Sequence, residues 1–237
     1  MPLLPAIDTR WDVTPSQARA EQERLLPRID LRPLPGPPHL ILGADTSYNR
    51  GSNRVAGAVV LWDAVARCVV EQHTAVVETR FPYVPGRLAF REAPALMPAL
   101  AALTRRPDVL VFNGHGIAHP LGIGLAAHLG VVFDLPAMGV AQKRLCGEHA
   151  PVGPRVGDRQ PLILDGNTVG MVLRTRKGCN PVYISPGHRM TVEDALKVAN
   201  LTNCGYKLSE VVRLAHELCN SARRADGAPK ESAYTCF

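Results

Sequence analysis

The apolar run Val109-Leu110-Val111-Phe112 leads directly into Asn113-Gly114-His115-Gly116-Ile117-Ala118-His119-Pro120. A polar residue at a strand end, glycines that let another molecule approach the backbone, and two histidines together have the build of a site. Period-2 alternation places Asn113 on the face shared by Val109 and Val111, so the strand itself aims its side chain. A carboxylate at that point would offer charge to a cation; Asn113 offers an amide.

Other positions could also carry chemistry. Asp45 closes the apolar run Leu40-Ile41-Leu42-Gly43-Ala44, where an ion is costly unless paired or metal-bound; a surface turn is the alternative. Glu92 shares a helical stripe with Leu88 and Leu96, so an arginine or a metal must balance it. His188, within Ser185-Pro186-Gly187-His188-Arg189, reads as a loop residue between a strand and a helix, a setting that presents catalytic groups as well as merely solvated histidines. In Phe81-Pro82-Tyr83-Val84-Pro85-Gly86 two prolines stiffen the chain around an aromatic. Such a prong can push between stacked bases, or it can simply pack its tyrosine on the core.

The elements that must position these groups follow from turn signals and periodicity. Thr14-Pro15-Ser16-Gln17 opens a helix that ends before Pro27, and residues 27–38 form a proline-rich tether. Strands over 39–47, 54–63 and 67–78 make an antiparallel meander. A helix over 87–104 follows, with a kink or break predicted near Pro94, then a strand over 108–113, a helix over 121–130 and a strand over 136–141. After a loop over 151–161 come a hairpin turning at Asp165-Gly166-Asn167, a strand over 181–185, a helix from Thr191 to 203 and another over 209–224. The reading is an α/β chain with a mixed sheet, a three-stranded meander followed by parallel strands, and helices packed upon it. Residues 1–38 are the helix and tether, 39–225 one domain, and 226–237 a frayed, disordered tail.

Composition sets the bounds. With 237 residues, 46% hydrophobic and 20% charged, the chain can bury one substantial core without demanding a second. The six cysteines are scattered with no C-x-x-C pair. No apolar run approaches the roughly 20 residues of a membrane span and no secretory layout opens the chain, so a soluble, cytoplasmic monomer with no membrane partner is expected. A net charge of +6 suits a polyanionic partner without identifying one.

In combination and order, GADTSY, PYVPGRLAFRE, GHGIAHPLGIGLAAHLG, GVA-x-KRLCG and SPGHR make a series that resembles the endonuclease V family of deaminated-base nucleases, over residues 40–200. The resemblance implies a ribonuclease H-like fold and a nuclease dependent on Mg2+, or on Mn2+ in its place. It implies recognition of hypoxanthine in DNA, and in some members RNA, with cleavage of the second phosphodiester bond on the 3′ side. By that likeness Asp45, Glu92 and position 113 hold the metal and His188 joins the catalytic centre. Pro82, Tyr83, Val84 and Pro85 form a wedge, while Leu88, Gly114, Gly116 and His119 belong to the pocket for an extruded base.

Two departures bear on catalysis. The family pattern has aspartate where this chain has Asn113 and lysine where it has Gln142. An amide oxygen can coordinate but brings no charge to a divalent ion. Two readings follow: a slowed nuclease, or a binder of inosine-containing nucleic acid that does not cut.

Overall fold

The three strand-forming runs after the tether pair as the antiparallel meander their turns predict: β1 (Leu40–Asn49), β2 (Arg54–Asp63) and β3 (Cys68–Glu78). Alternation then gives α2 (Leu88–Ala101), β4 (Val109–Asn113), α3 (Leu125–Phe133) and β5 (Ala137–Ala141), with β4 parallel to both β1 and β5. The hairpin β6 (Arg159–Leu164) and β7 (Asn167–Leu173) turns where expected, and β8 (Val182–His188) runs antiparallel between β7 and β5. The computed structural model describes residues 3–227 and 233–235. Its sheet has the order β3-β2-β1-β4-β5-β8-β7-β6.

Alternation along the central strands divides the core in two. Leu42, Ala44, Leu110 and Phe112 face α2 and α3, whereas Ile41, Val109, Val111 and Met138 face α4 (Val192–Leu201) and α5 (Glu210–Ala225). Helix α5 lies very close to β1: a Cβ added at Gly43 would stand 2.1 Å from the Val211 carbonyl oxygen. Only glycine allows that approach, which brings the middle of α5 over Asp45. The amino-terminal helix α1 (Pro15–Leu25) starts with the predicted capping box and buries Ala18, Gln22 and Leu25.

Three expectations are corrected. Helix α2 runs through Pro94 and Pro98 without a break, because the buried Phe90, Ala93, Leu96, Ala99 and Leu100 hold it to the sheet against a cost of about 3 kcal/mol per interior proline. Strand β8 extends beyond 185 to His188; Pro186 is tolerated there because β7 pairs only with Val182–Ile184 and β5 bulges between Ala137 and Met138. Within the tail, Ala233–Thr235 forms β9, paired with Ser47–Asn49 of β1; the rest of 228–237 lies outside the described residues. Among the described residues no helix is long and apolar enough to cross a membrane.

Candidate active site

Because β1, β4 and β5 are parallel, their carboxyl ends share one edge of the sheet, the usual place for ligands in such sheets. Asp45 and Asn113 both sit there, on the face covered by α5. Asp45 is buried, and its Oδ1 accepts hydrogen bonds from the Thr46 amide at 2.8 Å and from Asn113 Nδ2 at 3.0 Å. Its Oδ2 accepts from His216 Nδ1 at 2.8 Å. Burial raises the Asp45 carboxyl above its ordinary range, with His216 the strongest opposing influence.

His216 belongs to a longer relay. Asn220 Nδ2 donates to His216 Nε2 at 3.0 Å, and Ser47 Oγ donates to Asn220 Oδ1 at 2.7 Å. An amide nitrogen can only donate, so Nε2 is the acceptor and the imidazole proton sits on Nδ1, toward Asp45. The hydrogen bond to Asp45 raises the His216 pKa. Sequence reasoning missed this residue, although a signal existed. His216 follows Val212 by four and precedes Cys219 by three, so it interrupts the buried stripe of α5.

Glu92, on α2, is buried. Both it and Asp45 act electrostatically on Cys219, adding to the upward push that burial gives the thiol. Gln142, just past β5, accepts a hydrogen bond from Lys207 Nζ at 3.2 Å, the lysine coming from the connection between α4 and α5.

His188 does not join this cluster. It pairs with Ala137 at the start of β5, whereas Asn113 pairs with Val140, so about three residues, or roughly 10 Å of strand, separate the two levels. Its Nε2 bonds to Asp134 Oδ1 and its Nδ1 accepts from the Asp30 amide, both at 3.2 Å. The expected loop position of His188 is corrected, since the residue closes β8.

A pocket lies beside the acidic cluster. Leu88, Gly114 and His119, expected in a pocket, line it together with Tyr83, Val84 and Pro85 of the expected wedge, and Gln22, Gly86, His115 and Leu145 are also in the lining. Tyr83 is 60% exposed at the pocket, so it does not pack on the core. The prong is anchored from behind: buried Arg91 donates to the carbonyls of Phe81 at 2.7 Å and Ser52 at 2.6 Å. His119 Nδ1 accepts from the Leu121 amide at 3.1 Å, which leaves Nε2 to donate to the Gly86 carbonyl at 2.9 Å. Burial lowers the pKa of His115 and of His119 to about 4, so both are neutral near pH 7.

Of the wedge residues, Pro82 is exposed and is not part of the lining; one predicted pocket residue sits differently. Gly116 faces elsewhere: a Cβ there would meet the Pro186 carbonyl oxygen at 2.0 Å, and its amide donates to Ser185 Oγ at 2.7 Å. The space that glycine leaves is filled by β8, not by a ligand.

A family model described as Endonuclease V matches residues 23–217. The Endonuclease V of Myxococcus xanthus (strain DK1622) is 45% identical over 232 residues, covering 98% of each chain. The crystal structure of the Endonuclease V from Streptomyces avermitilis superposes with a TM-score of 0.86 at 39% identity, covering 94% of this chain and 98% of that one. Endonuclease V of Ciona intestinalis, solved in complex with a 24-mer DNA containing an inosine followed by a ribo-adenosine, shares the fold with a TM-score of 0.76 at 20% identity, over 89% of this chain and 98% of that one. The ribonuclease H-like architecture expected from the sequence is the one observed.

Proposed function

The chain belongs to the endonuclease V family, and from that premise we propose that it takes an extruded hypoxanthine from DNA into the Gly114 pocket and, with Mg2+, hydrolyses the second phosphodiester bond on the 3′ side. One observation carries this reading: Asn113 and Gly114 are consecutive, the first bonded to the buried Asp45 and the second lining the pocket. Recognition of a base and chemistry on its strand are thereby coupled through a single peptide unit.

The donor set fits the ion. Asp45, Glu92 and the Asn113 amide offer oxygen, the element Mg2+ takes, and among the described residues no lysine or arginine forms a salt bridge with Asp45. When bound, such an ion polarises a phosphate and makes a coordinated water more acidic. The protein's own part is positional. His216 holds Asp45 in place while Asn220 and Ser47 fix the imidazole. Tyr83, projecting from a proline-stiffened prong with little ordering cost, fills the gap an extruded base leaves. Extrusion costs roughly a few kcal/mol, less for a mispaired base such as hypoxanthine. Neutral His119, its Nε2 proton committed to Gly86, braces the pocket and transfers no proton.

Asn113 favours a second reading in which binding outlasts cutting. Its amide nitrogen occupies one lone pair of Asp45, and the charge an aspartate would add is missing. The deciding experiment incubates an inosine-containing duplex and an inosine-containing RNA with the wild type and with Asn113→Asp, in Mg2+ and in Mn2+. Specific binding with cutting that rises in the variant supports the nuclease reading. Binding no tighter than to undamaged duplex at any salt concentration would sink base recognition.

A further inference from the structure

On α5, His216 and Cys219 are three residues apart and so face the same way, toward Asp45 at the end of β1. One ligand atom from each of the three, an imidazole nitrogen, the thiol sulfur and a carboxylate oxygen, all lie within 4.8 Å of one another. We propose that Asp45, His216 and Cys219 form a binding site for a thiophilic divalent cation of the Zn2+ or Co2+ class, which competes with Mg2+ for Asp45.

The donor chemistry supports that class. Nitrogen, sulfur and carboxylate oxygen are the ligands of tetrahedral zinc, and three protein ligands leave one position for water or phosphate. Magnesium gains nothing from sulfur. Asn113 tips the balance further, since it removes charge from the all-oxygen set and takes nothing from the mixed one. The His216 side chain is 28% exposed and gives a path from solvent to the two buried ligands. The thiol donates to the carbonyl of His216 at 3.2 Å, and its sulfur also accepts from the Asn220 backbone amide, an interaction that favours the thiolate. Cys219 also lies two positions beyond the last residue the family model matches.

Binding balances simply. As the sulfur–metal bond forms, the Cys219 thiol gives its proton to water. The proton on His216 Nδ1 moves to Nε2, where Asn220 receives it by turning its amide oxygen inward. One proton leaves for each ion bound, and no oxidant or reductant is needed.

The inference deepens the proposed metal centre and shares only Asp45 with it, so the test uses the full-length protein without nucleic acid. Metal-free wild type titrated with Co2+ at mildly alkaline pH should develop a thiolate-to-cobalt charge-transfer band. Equimolar Zn2+ should abolish the band and equimolar Mg2+ should not, only a large excess of Mg2+ drawing Asp45 away. Cys219→Ser, nearly isosteric, and Cys219→Ala should both lack it while keeping the wild-type circular dichroism. Their Zn2+ affinity should fall by more than the roughly 10- to 100-fold typical of losing an outer partner. No band in the wild type, a band that persists in both variants, or one erased by equimolar Mg2+ would overturn the site. Mg2+-dependent cutting without the band would leave the nuclease reading standing and refute this one; the band without cutting would do the reverse.

Discussion

The ammonium of Lys207 donates to the amide oxygen of Gln142 at 3.2 Å, so a residue from the α4–α5 connection sets a positive charge beside the strand end that carries Gln142. No carboxylate forms a salt bridge with it among the described residues, which leaves the charge for a phosphate. Replacing Lys207 with Met should lower the slope of log affinity against log salt for an inosine duplex by about 0.9, the value of one lost phosphate contact. The exchanged pair Gln142→Lys with Lys207→Gln should restore it. An unchanged slope in Lys207→Met would remove Lys207 from the interface.

Restoring an acid at Asn113 should help the loaded site and harm the empty one. Two unit charges about 4 Å apart interact by roughly 4 kcal/mol at an effective dielectric near 20, before desolvation. Asn113→Asp should therefore bind Mg2+ at least about tenfold more tightly, yet melt at a lower temperature than wild type when metal-free. Melting curves with and without Mg2+ check both signs together; a variant more stable without metal would contradict the geometry.

His216→Ala should destabilise the protein by about 1–2 kcal/mol, discounted for the imidazole's partial exposure. The His216 pKa is raised in the folded state, so its contribution is fully present below 6.5 and disappears as pH rises through the folded value. The stability gap between wild type and variant should thus narrow toward alkaline pH. Denaturant titrations across that window would show it.

Acid should unfold the protein through its buried histidines. His128 is wholly buried between Trp11 and Phe90, each with ring centroid 5.1 Å away, and neither of its nitrogens has a hydrogen-bond partner. Its pKa, like those of His115 and His119, is lowered to about 4. Each such group gives stability that is complete above 6.5 and falls by about 1.4 kcal/mol per pH unit until about 4 is reached. His128→Phe should flatten that acid limb measurably; an identical pH dependence would mean that His128 is not the group being protonated.

The two glycines of the histidine loop should respond oppositely to alanine. At Gly114 the new methyl would meet only the Leu125 side chain, at 3.6 Å, so the fold should survive while base binding weakens. At Gly116 it would collide with backbone, and the protein should lose at least about 2 kcal/mol. Melting temperature and inosine-duplex affinity, measured on both variants, separate the roles.

The chain announced its site more clearly in some places than in others, for physical reasons. Asp45, Glu92, Asn113 and the Tyr83 prong were legible because strand alternation, a helical stripe and paired prolines are local signals. The partner of Asp45 was not, since 171 positions separate it from His216 and only the packing of α5 on Gly43 brings them together. His188 misled because Pro186 reads as a strand terminator, whereas an unpaired flank and a bulge admit it. The unbroken α2 shows burial outweighing two prolines, a contest that local sequence cannot judge.

Gln22 on α1 donates to the carbonyls of Gly86 at 3.0 Å and Ile123 at 3.1 Å, one from each lip of the pocket. The entrance is therefore gauged by a helix outside the sheet, one position before the stretch that the family model matches. What reads along the chain as a leader and its tether works in space as the caliper of the aperture. Loosening that helix would leave a protein with every strand in place and no fixed width through which to measure a base.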